Sequence, residues 1–93
     1  MLIDIMGITF EVKEVEVIDE AAEGIVNGEI VYSQATIYLK KSLPADLKKQ
    51  TLYHEILHGI LVMIGQNELS CDETLVQSLS NAIYQMFELK ETR

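Results

Sequence analysis

Apolar and polar residues alternate near the start of the chain, as they do in a β-strand with one buried face. The alternation runs through residues 8–12, and Val15 and Val17 continue it in the opposite phase. Because successive side chains of a strand point to opposite faces, this segment is predicted to be a half-buried strand. The change of phase predicts a bulge or break near Lys13 and Glu14.

The following segments predict a connection and then a hairpin. Asp19–Gly24 is acidic and rich in small residues, which is typical of a connection or a single helical turn. Residues 29–32 and 35–40 are strand-like and are separated by Ser33-Gln34, which predicts a hairpin that turns there. Asn27-Gly28 is a competing turn dipeptide, so the sequence leaves the register of the hairpin open.

The second half of the chain has the periodicity of two helices. Ser42 and Pro44 predict the start of the first helix, since serine can cap a helix and proline suits its first turn. Gly65 predicts its end. Gly59 lies inside this helix, where it costs about 1 kcal/mol relative to alanine. Its position beside His58 suggests close backbone packing, although a merely tolerated glycine fits equally well.

The second helix is predicted from an apolar stripe that we expect to face the core. The stripe consists of Leu75, Leu79, Ile83, Met86 and Phe87.

These elements predict an α+β fold. About three antiparallel strands at the N-terminus would form a small sheet that packs on two long C-terminal helices. A length of 93 residues predicts one domain spanning 1–93, and a hydrophobic content of 48% is enough for a small packed core.

Charge and cysteine content narrow the classes of function. The formal net charge of −8 argues against nucleic acid or an anionic membrane as a partner. We find no pattern of a targeting segment and no apolar stretch of bilayer length. The single cysteine, Cys71, excludes an internal disulfide, which fits a reducing cytoplasm.

The chemically informative feature is the sequence His54-Glu55-Ile56-Leu57-His58, an HExxH motif on the first predicted helix. At 100° per residue, His58 lies one turn beyond His54 and about 40° around the helix, so both rings can reach one metal ion. Glu55 lies about 60° from His58, where it can contact a water molecule on that metal. The alternative interpretation is a pair of partly exposed helical histidines without a ligand.

A catalytic zinc site usually has a third protein ligand, and we expect it at the start of the second helix. Glu73 is our first choice, and Cys71 and Asp72 are the alternatives. Glu73 has a competing structural role, because Ser70-Cys71-Asp72-Glu73 matches a capping box. If Glu73 is a ligand, residues 65–70 must place the start of the second helix back along the first, or the two helices must cross at an angle.

Several segments resemble small ImmA/IrrE-type metallopeptidase-like proteins that are common in bacteriophage and prophage genomes, and the resemblance covers about the last 60 residues. The similar segments are 40–43, 49–59, 72–76 and 79–84. The resemblance implies a minimal zincin-like fold in which His54, His58 and Glu73 hold Zn²⁺ and Glu55 is the general base. Larger relatives usually have Glu-Ala-Asn near the third ligand where this chain has Leu79-Ser80-Asn81, and they carry additional domains.

The implied reaction is hydrolysis of a peptide bond in a protein or peptide substrate. Ala35–Lys40 is expected to be the edge strand on which the peptide pairs. Tyr38, Tyr53 and Tyr84 are the phenols considered for stabilising the oxyanion, and the sequence does not choose among them.

Two functions therefore remain open at the level of sequence. The first is a zinc-dependent peptidase of phage or prophage type. The second is a non-catalytic module, with or without a metal, that binds another protein through a zincin scaffold. Zinc suits two imidazoles and a carboxylate, although iron, cobalt and nickel bind the same groups in vitro. The sequence does not define the substrate or the oligomeric state.

Overall fold

The computed structural model describes residues 1–16 and 27–91, with side chains as far as Phe87. The strands are β1 (Leu2–Ile5), β2 (Ile8–Val15), β3 (Gly28–Val31) and β4 (Thr36–Lys40). The helices are α1 (Ala45–Met63), α2 (Asn67–Ser70) and α3 (Glu73–Glu91), and a 3₁₀ turn (Tyr32–Gln34) joins β3 to β4. The α+β class and the two long helices agree with the prediction.

Within the described residues the sheet has four strands in the order β1-β2-β4-β3, slightly more than the predicted three, and it is mixed, so the prediction of a purely antiparallel sheet is wrong. β1 pairs with β2 in an antiparallel hairpin whose turn, Met6-Gly7, has positive φ angles of 52° and 91°. β4 pairs antiparallel with β3 and parallel with β2. Side chains alternate between the two faces of a strand whichever way the neighbouring strand runs. The alternation in the sequence therefore cannot distinguish parallel from antiparallel neighbours.

The hairpin of β3 and β4 turns at Ser33-Gln34, as predicted, and Asn27-Gly28 leads into β3. Ala35 ends the turn with a φ of 49°. The predicted bulge in β2 is wrong, because β2 pairs with β4 in an unbroken register as far as Val15. Val17 and Asp19–Gly24, which carried the change of phase and the predicted connection, lie outside the described residues.

The sheet packs on α1 around a core of fully or nearly buried side chains. This core consists of Ile5, Phe10, Ile37, Leu39 and Leu52. Gly59 allows the close approach: a Cβ atom there would lie 3.1 Å from Cδ1 of Ile30 and 3.2 Å from Cδ1 of Ile5. The close packing suggested by the sequence is therefore confirmed.

Both ends of α1 agree with the sequence, but the predicted serine cap is wrong. Pro44 directly precedes the first helical residue, and no side chain caps this end. At the other end, Gly65 has a φ of 82°, its N–H donates to Val62 O, and the N–H of Gln66 donates to Leu61 O. This pair of hydrogen bonds is a Schellman motif, which requires the left-handed conformation that glycine adopts without strain.

α3 packs on α1 through a face that coincides only in part with the predicted stripe, since Ile83 and Phe87 line an apolar cavity with α1 while other members of the stripe face outward. Val76 is fully buried against Leu57 and Leu61, and Ser80 is 1% exposed. Leu79 and Met86, by contrast, are 41% and 64% exposed. The period of 3.6 residues identified a helix correctly, but α3 carries apolar residues on two neighbouring faces, and packing selected the one that contains Val76.

We predict that Gly59→Val lowers the free energy of unfolding by about 1–3 kcal/mol, because its side chain would overlap Ile5 and Ile30. Urea denaturation measures the change. Ala82→Val, at an exposed position of α3, is the control and should cost only a few tenths of a kcal/mol. Equal stabilities of the two variants would contradict the close approach of α1 and the sheet.

Candidate metal centre

The two histidines of the HExxH motif converge, as the helical spacing predicts. His54 Nε2 and His58 Nε2 are 3.2 Å apart, and the side chains are 16% and 12% exposed. Both side chains project from one turn of α1 into a cavity between α1, α3 and the start of β3. Both side chains are partly exposed, as the alternative interpretation also expects, and their convergence at Nε2 is the arrangement that a shared ligand requires.

Glu73, the first residue of α3, completes a group of three side chains. Its Oε1 lies 3.2 Å from His54 Nε2, and its Oε2 lies 3.3 Å from His58 Nε2. Two ligands of a tetrahedral zinc ion, each about 2.0–2.2 Å from the metal, are separated by about 3.3–3.6 Å. One donor atom from each residue lies within 4.8 Å of the others, and among the described residues this group could hold a metal ion.

The path of the chain after α1 explains how Glu73 reaches the histidines. The short helix α2 carries the chain back along α1, so that Ser70 Oγ lies 3.0 Å from His58 Nδ1. Asp72 Oδ1 then accepts a hydrogen bond from the N–H of Leu75 and caps α3. The capping box that was the competing role for Glu73 is not formed, because Asp72 is the capping residue and the Glu73 side chain faces the histidines instead.

The alternative third ligands occupy other positions. Asp72 is engaged at the helix terminus. Cys71 is exposed, lines a different cavity and does not belong to the group of converging donors. Geometry therefore favours Glu73, which was the first choice from the sequence.

Hydrogen bonding prepares His58 to bind a metal through Nε2. When Nδ1 of His58 carries the proton and donates to Ser70 Oγ, the lone pair of Nε2 points to the cavity. The Ser70 hydroxyl in turn lies 3.5 Å from the carbonyl oxygen of His58. Such outer contacts fix the orientation and tautomer of a ligating histidine.

His54 is in a different environment. Burial, followed by the nearby His58, lowers the pKa of His54 despite the opposing influence of Glu73 and Gln77, and so favours the neutral imidazole that a metal requires. Its Nδ1 atom is buried and has no hydrogen-bond partner among the described residues.

Three side-chain amides connect the helices behind His54. Asn81 Oδ1 accepts hydrogen bonds from Gln50 Nε2 at 2.8 Å and from Gln77 Nε2 at 2.9 Å. Gln50 lies one turn before His54 on α1, and Gln77 lies one turn after Glu73 on α3. This bridge therefore ties together the two turns that carry the converging groups.

Glu55 lies on the side of α1 that faces β3 and is 7% exposed. A Cβ atom on Gly28 would lie 3.3 Å from Glu55 Oε2, so the glycine allows the strand to cover the carboxyl group. Burial, followed by the negative charges of Glu73 and Glu29, raises the pKa of Glu55 to about 7. The group is therefore poised to exchange a proton near neutral pH.

Glu55 and His58 lie where two cavities meet. The first, of about 480 Å³, contains His54 and Glu73 and is largely polar. The second, of about 390 Å³, lies beside Ile30 and Tyr32 and is largely apolar. Together they form an open cleft that passes the candidate metal centre.

Tyr32, which the sequence analysis did not consider, is the tyrosine that lines this cleft with Glu55. Its ring packs edge-to-face on Phe10. The tyrosines selected from the sequence lie elsewhere: Tyr38 donates to Gln34, and Tyr53 packs on Tyr84 at a separate apolar cavity. The sequence signal that could have identified Tyr32 was its spacing. Tyr32 follows Gly28 and Ile30 at intervals of two residues, so its side chain is expected on the same face of the strand.

The edge strand was also assigned incorrectly from the sequence. β4 is paired on both sides, by β2 and by β3, and so cannot accept another strand. Among the described strands, β3 is the outer strand next to the cleft. It pairs with the edge of β4 that is opposite to the edge paired with β2.

Comparisons with known protein families, with curated proteins and with solved structures found no match. Within the described residues, no helix combines the length and apolar character needed to cross a membrane.

We predict that the metal-free protein loses stability as the pH rises from about 4.5 to about 7, because Glu55 ionises more readily in the unfolded chain than in the fold. Below this range the carboxyl group is neutral in both states. Above it, the buried charge lowers the free energy of unfolding by about 3 kcal/mol, at about 1.4 kcal/mol per pH unit.

Chemical denaturation at pH 4 and pH 8 measures this difference. Glu55→Gln should be more stable than wild type at pH 8 and similar to it at pH 4. Glu68→Gln replaces an exposed carboxylate and is the matched control, expected to follow wild type at both values. A Glu55→Gln variant with the wild-type pH dependence would show that Glu55 is not the responsible group.

Proposed function

We propose that this protein is a zinc-dependent metallopeptidase related to the small ImmA/IrrE-type proteins of phages and prophages. The observation that carries the proposal is the convergence of His54, His58 and Glu73 within 3.2–3.3 Å, with the buried acid Glu55 beside them. The resemblance of the sequence to that family supports the same assignment.

Zinc is the proposed metal because two imidazoles and one carboxylate are a common ligand set of catalytic zinc. Iron, cobalt and nickel fit the same donor atoms and serve as probes. When bound, zinc supplies a Lewis acid that polarises the scissile carbonyl and lowers the pKa of water. The His58–Ser70 hydrogen bond holds one of the proposed ligands in place before the metal arrives.

Glu55 is the proposed general base and acid. Its carboxylate accepts a proton from the attacking water as the new C–O bond forms. The protonated carboxyl group then donates to the leaving amine as the C–N bond breaks, which balances the protons of the reaction. A pKa of about 7 in the metal-free site reflects a carboxyl group that both gains and loses a proton without a large cost near neutral pH.

The substrate is proposed to be an extended segment of a protein or peptide. β3 is the outer strand among those described, and its residues Gly28 and Ile30 line the cleft, so its outer edge offers backbone groups for pairing with such a segment. Tyr32 is the proposed hydrogen-bond donor to the oxyanion, because it shares the cleft with Glu55. The acidic net charge disfavours nucleic acid as a partner, and the cytoplasm is the proposed location.

A second candidate function is a protein-binding module that retains the zincin scaffold without catalysis. The observation that favours it is the exposed apolar surface of α3 formed by Leu79, Met86 and Phe87. Exposed apolar patches often mark interaction sites. The two functions differ in their need for Glu55: the peptidase requires its carboxylate as the general base, whereas the binding module does not.

We predict that His54→Ala and Glu73→Ala each weaken Zn²⁺ binding by at least about 100-fold, because removal of a ligand should exceed the 10- to 100-fold effect of losing an outer contact. Isothermal titration of the metal-free protein measures this. Cys71→Ser is the matched control for the alternative ligand and should bind Zn²⁺ as wild type does. Unchanged affinity in Glu73→Ala together with a loss in Cys71→Ser would reassign the third ligand.

We predict that Glu55→Gln binds Zn²⁺ with an affinity similar to that of wild type but cleaves peptides at least about 100-fold more slowly, because it loses the base without losing a ligand. Incubation of the zinc-loaded protein with a proteome-derived peptide library, followed by mass spectrometry, identifies cleavage products. Equal cleavage by wild type and Glu55→Gln would contradict the proposed mechanism. Absence of zinc-dependent cleavage by wild type would favour the binding module.

A further inference from the structure

An apolar cavity lies beside the candidate metal centre, and the roles proposed for the metal ligands and the general base do not account for it. It has a volume of about 390 Å³, and its apolar walls come from Ile30, Tyr32 and Val62. Glu55 and His58 form its boundary with the polar cavity. A volume of this size is in the range of sites that bind small organic groups.

The position of the cavity follows from how β3 lies on α1. At the first residue of β3, Gly28 approaches Thr51 and Glu55. Two residues later, Ile30 approaches Gly59. The strand and the helix therefore advance in the same direction, and the turn that carries His54 and His58 lies between the polar end of the cleft and its apolar end.

A peptide that pairs with the outer edge of β3 would therefore cross both environments. Toward Asn27 and Gln50 its side chains would meet amide groups, and toward Ile30 and Val62 they would meet an apolar wall. Burial of an aliphatic side chain against such a wall is favourable. A carboxylate there would lie near the buried acid Glu55, which disfavours a second negative charge.

We infer that the cavity formed by Ile30, Tyr32 and Val62 binds an aliphatic side chain adjacent to the scissile bond, so that the substrates are peptides with a leucine-like residue on one side of the cleaved bond. This inference rests on the proposed function, since it takes the centre of the cleft to be the metal. It adds which part of the protein determines the substrate specificity and which class of substrate side chain is selected.

Small hydroxamates of defined side chain test the inference without a known substrate, because the hydroxamate group binds zinc directly. We would titrate the zinc-loaded protein with acetohydroxamate, with 4-methylpentanohydroxamate, which has an isobutyl group, and with succinic monohydroxamate, which has a carboxylate. The expected order of affinity places the isobutyl probe about 10- to 100-fold tighter than acetohydroxamate. The carboxylate probe is expected to bind no tighter than acetohydroxamate.

Variants then locate the preference. Val62→Asp should reduce the ratio between the isobutyl and methyl probes to less than about threefold, while acetohydroxamate binds as it does to wild type. Cys71→Asp places the same charge at the exposed rim of the cavity and should also reduce the ratio if Val62→Asp does not fold. Leu79→Asp adds the charge at an exposed position of α3 outside the cleft and should leave the ratio unchanged.

The outcomes separate this inference from the function on which it rests. If acetohydroxamate binds only in the presence of zinc but the isobutyl probe gains nothing, the assignment of the apolar cavity is wrong and the metal centre stands. If the protein binds Zn²⁺ but no hydroxamate shows zinc-dependent binding, the open coordination position that the proposed function requires is refuted, and the specificity falls with it. A preference that survives in both Val62→Asp and Cys71→Asp overturns the location of the cavity.

Discussion

The candidate metal centre depends on the return of the chain after α1, which brings one carboxylate to two imidazoles. Glu73 is the first residue of α3, and it reaches His54 and His58 only because α2 runs back along α1. Ser70 secures this return through its hydrogen bond to His58. The same contact orients a proposed ligand, so one hydrogen bond both positions α3 and prepares the site.

The packing of the sheet on α1 produces the second property of the site, the raised pKa of Glu55. A carboxylate among apolar side chains is costly, and the close approach of Gly28 removes water from this one. A cation bound by Glu73 and the histidines would neutralise part of the negative charge that raises this pKa. Metal binding at this site would therefore stabilise the fold, since a ligand that binds only the native state stabilises it.

Several features agreed with the sequence because they depend on local geometry. The two histidines share a face of α1 because their spacing of four matches one helical turn. Gly65 ends that helix because a left-handed residue is needed there. The hairpin turn at Ser33-Gln34 was found, whereas the pairing of β4 with β2 was not, since alternation says nothing about which strands are neighbours.

The sequence by itself determined the two long helices, the strands β2 to β4 and the pair of histidines, because each is fixed by periodicity within a few residues; it did not predict β1. Only the tertiary structure decided that Glu73 rather than Cys71 or Asp72 meets the histidines, that Tyr32 lines the cleft, and that β3 is the outer strand. These features depend on which segments far apart in the chain pack together. That choice is made by the summed burial of side chains such as Phe10, Ile37 and Val76, and no short pattern encodes it.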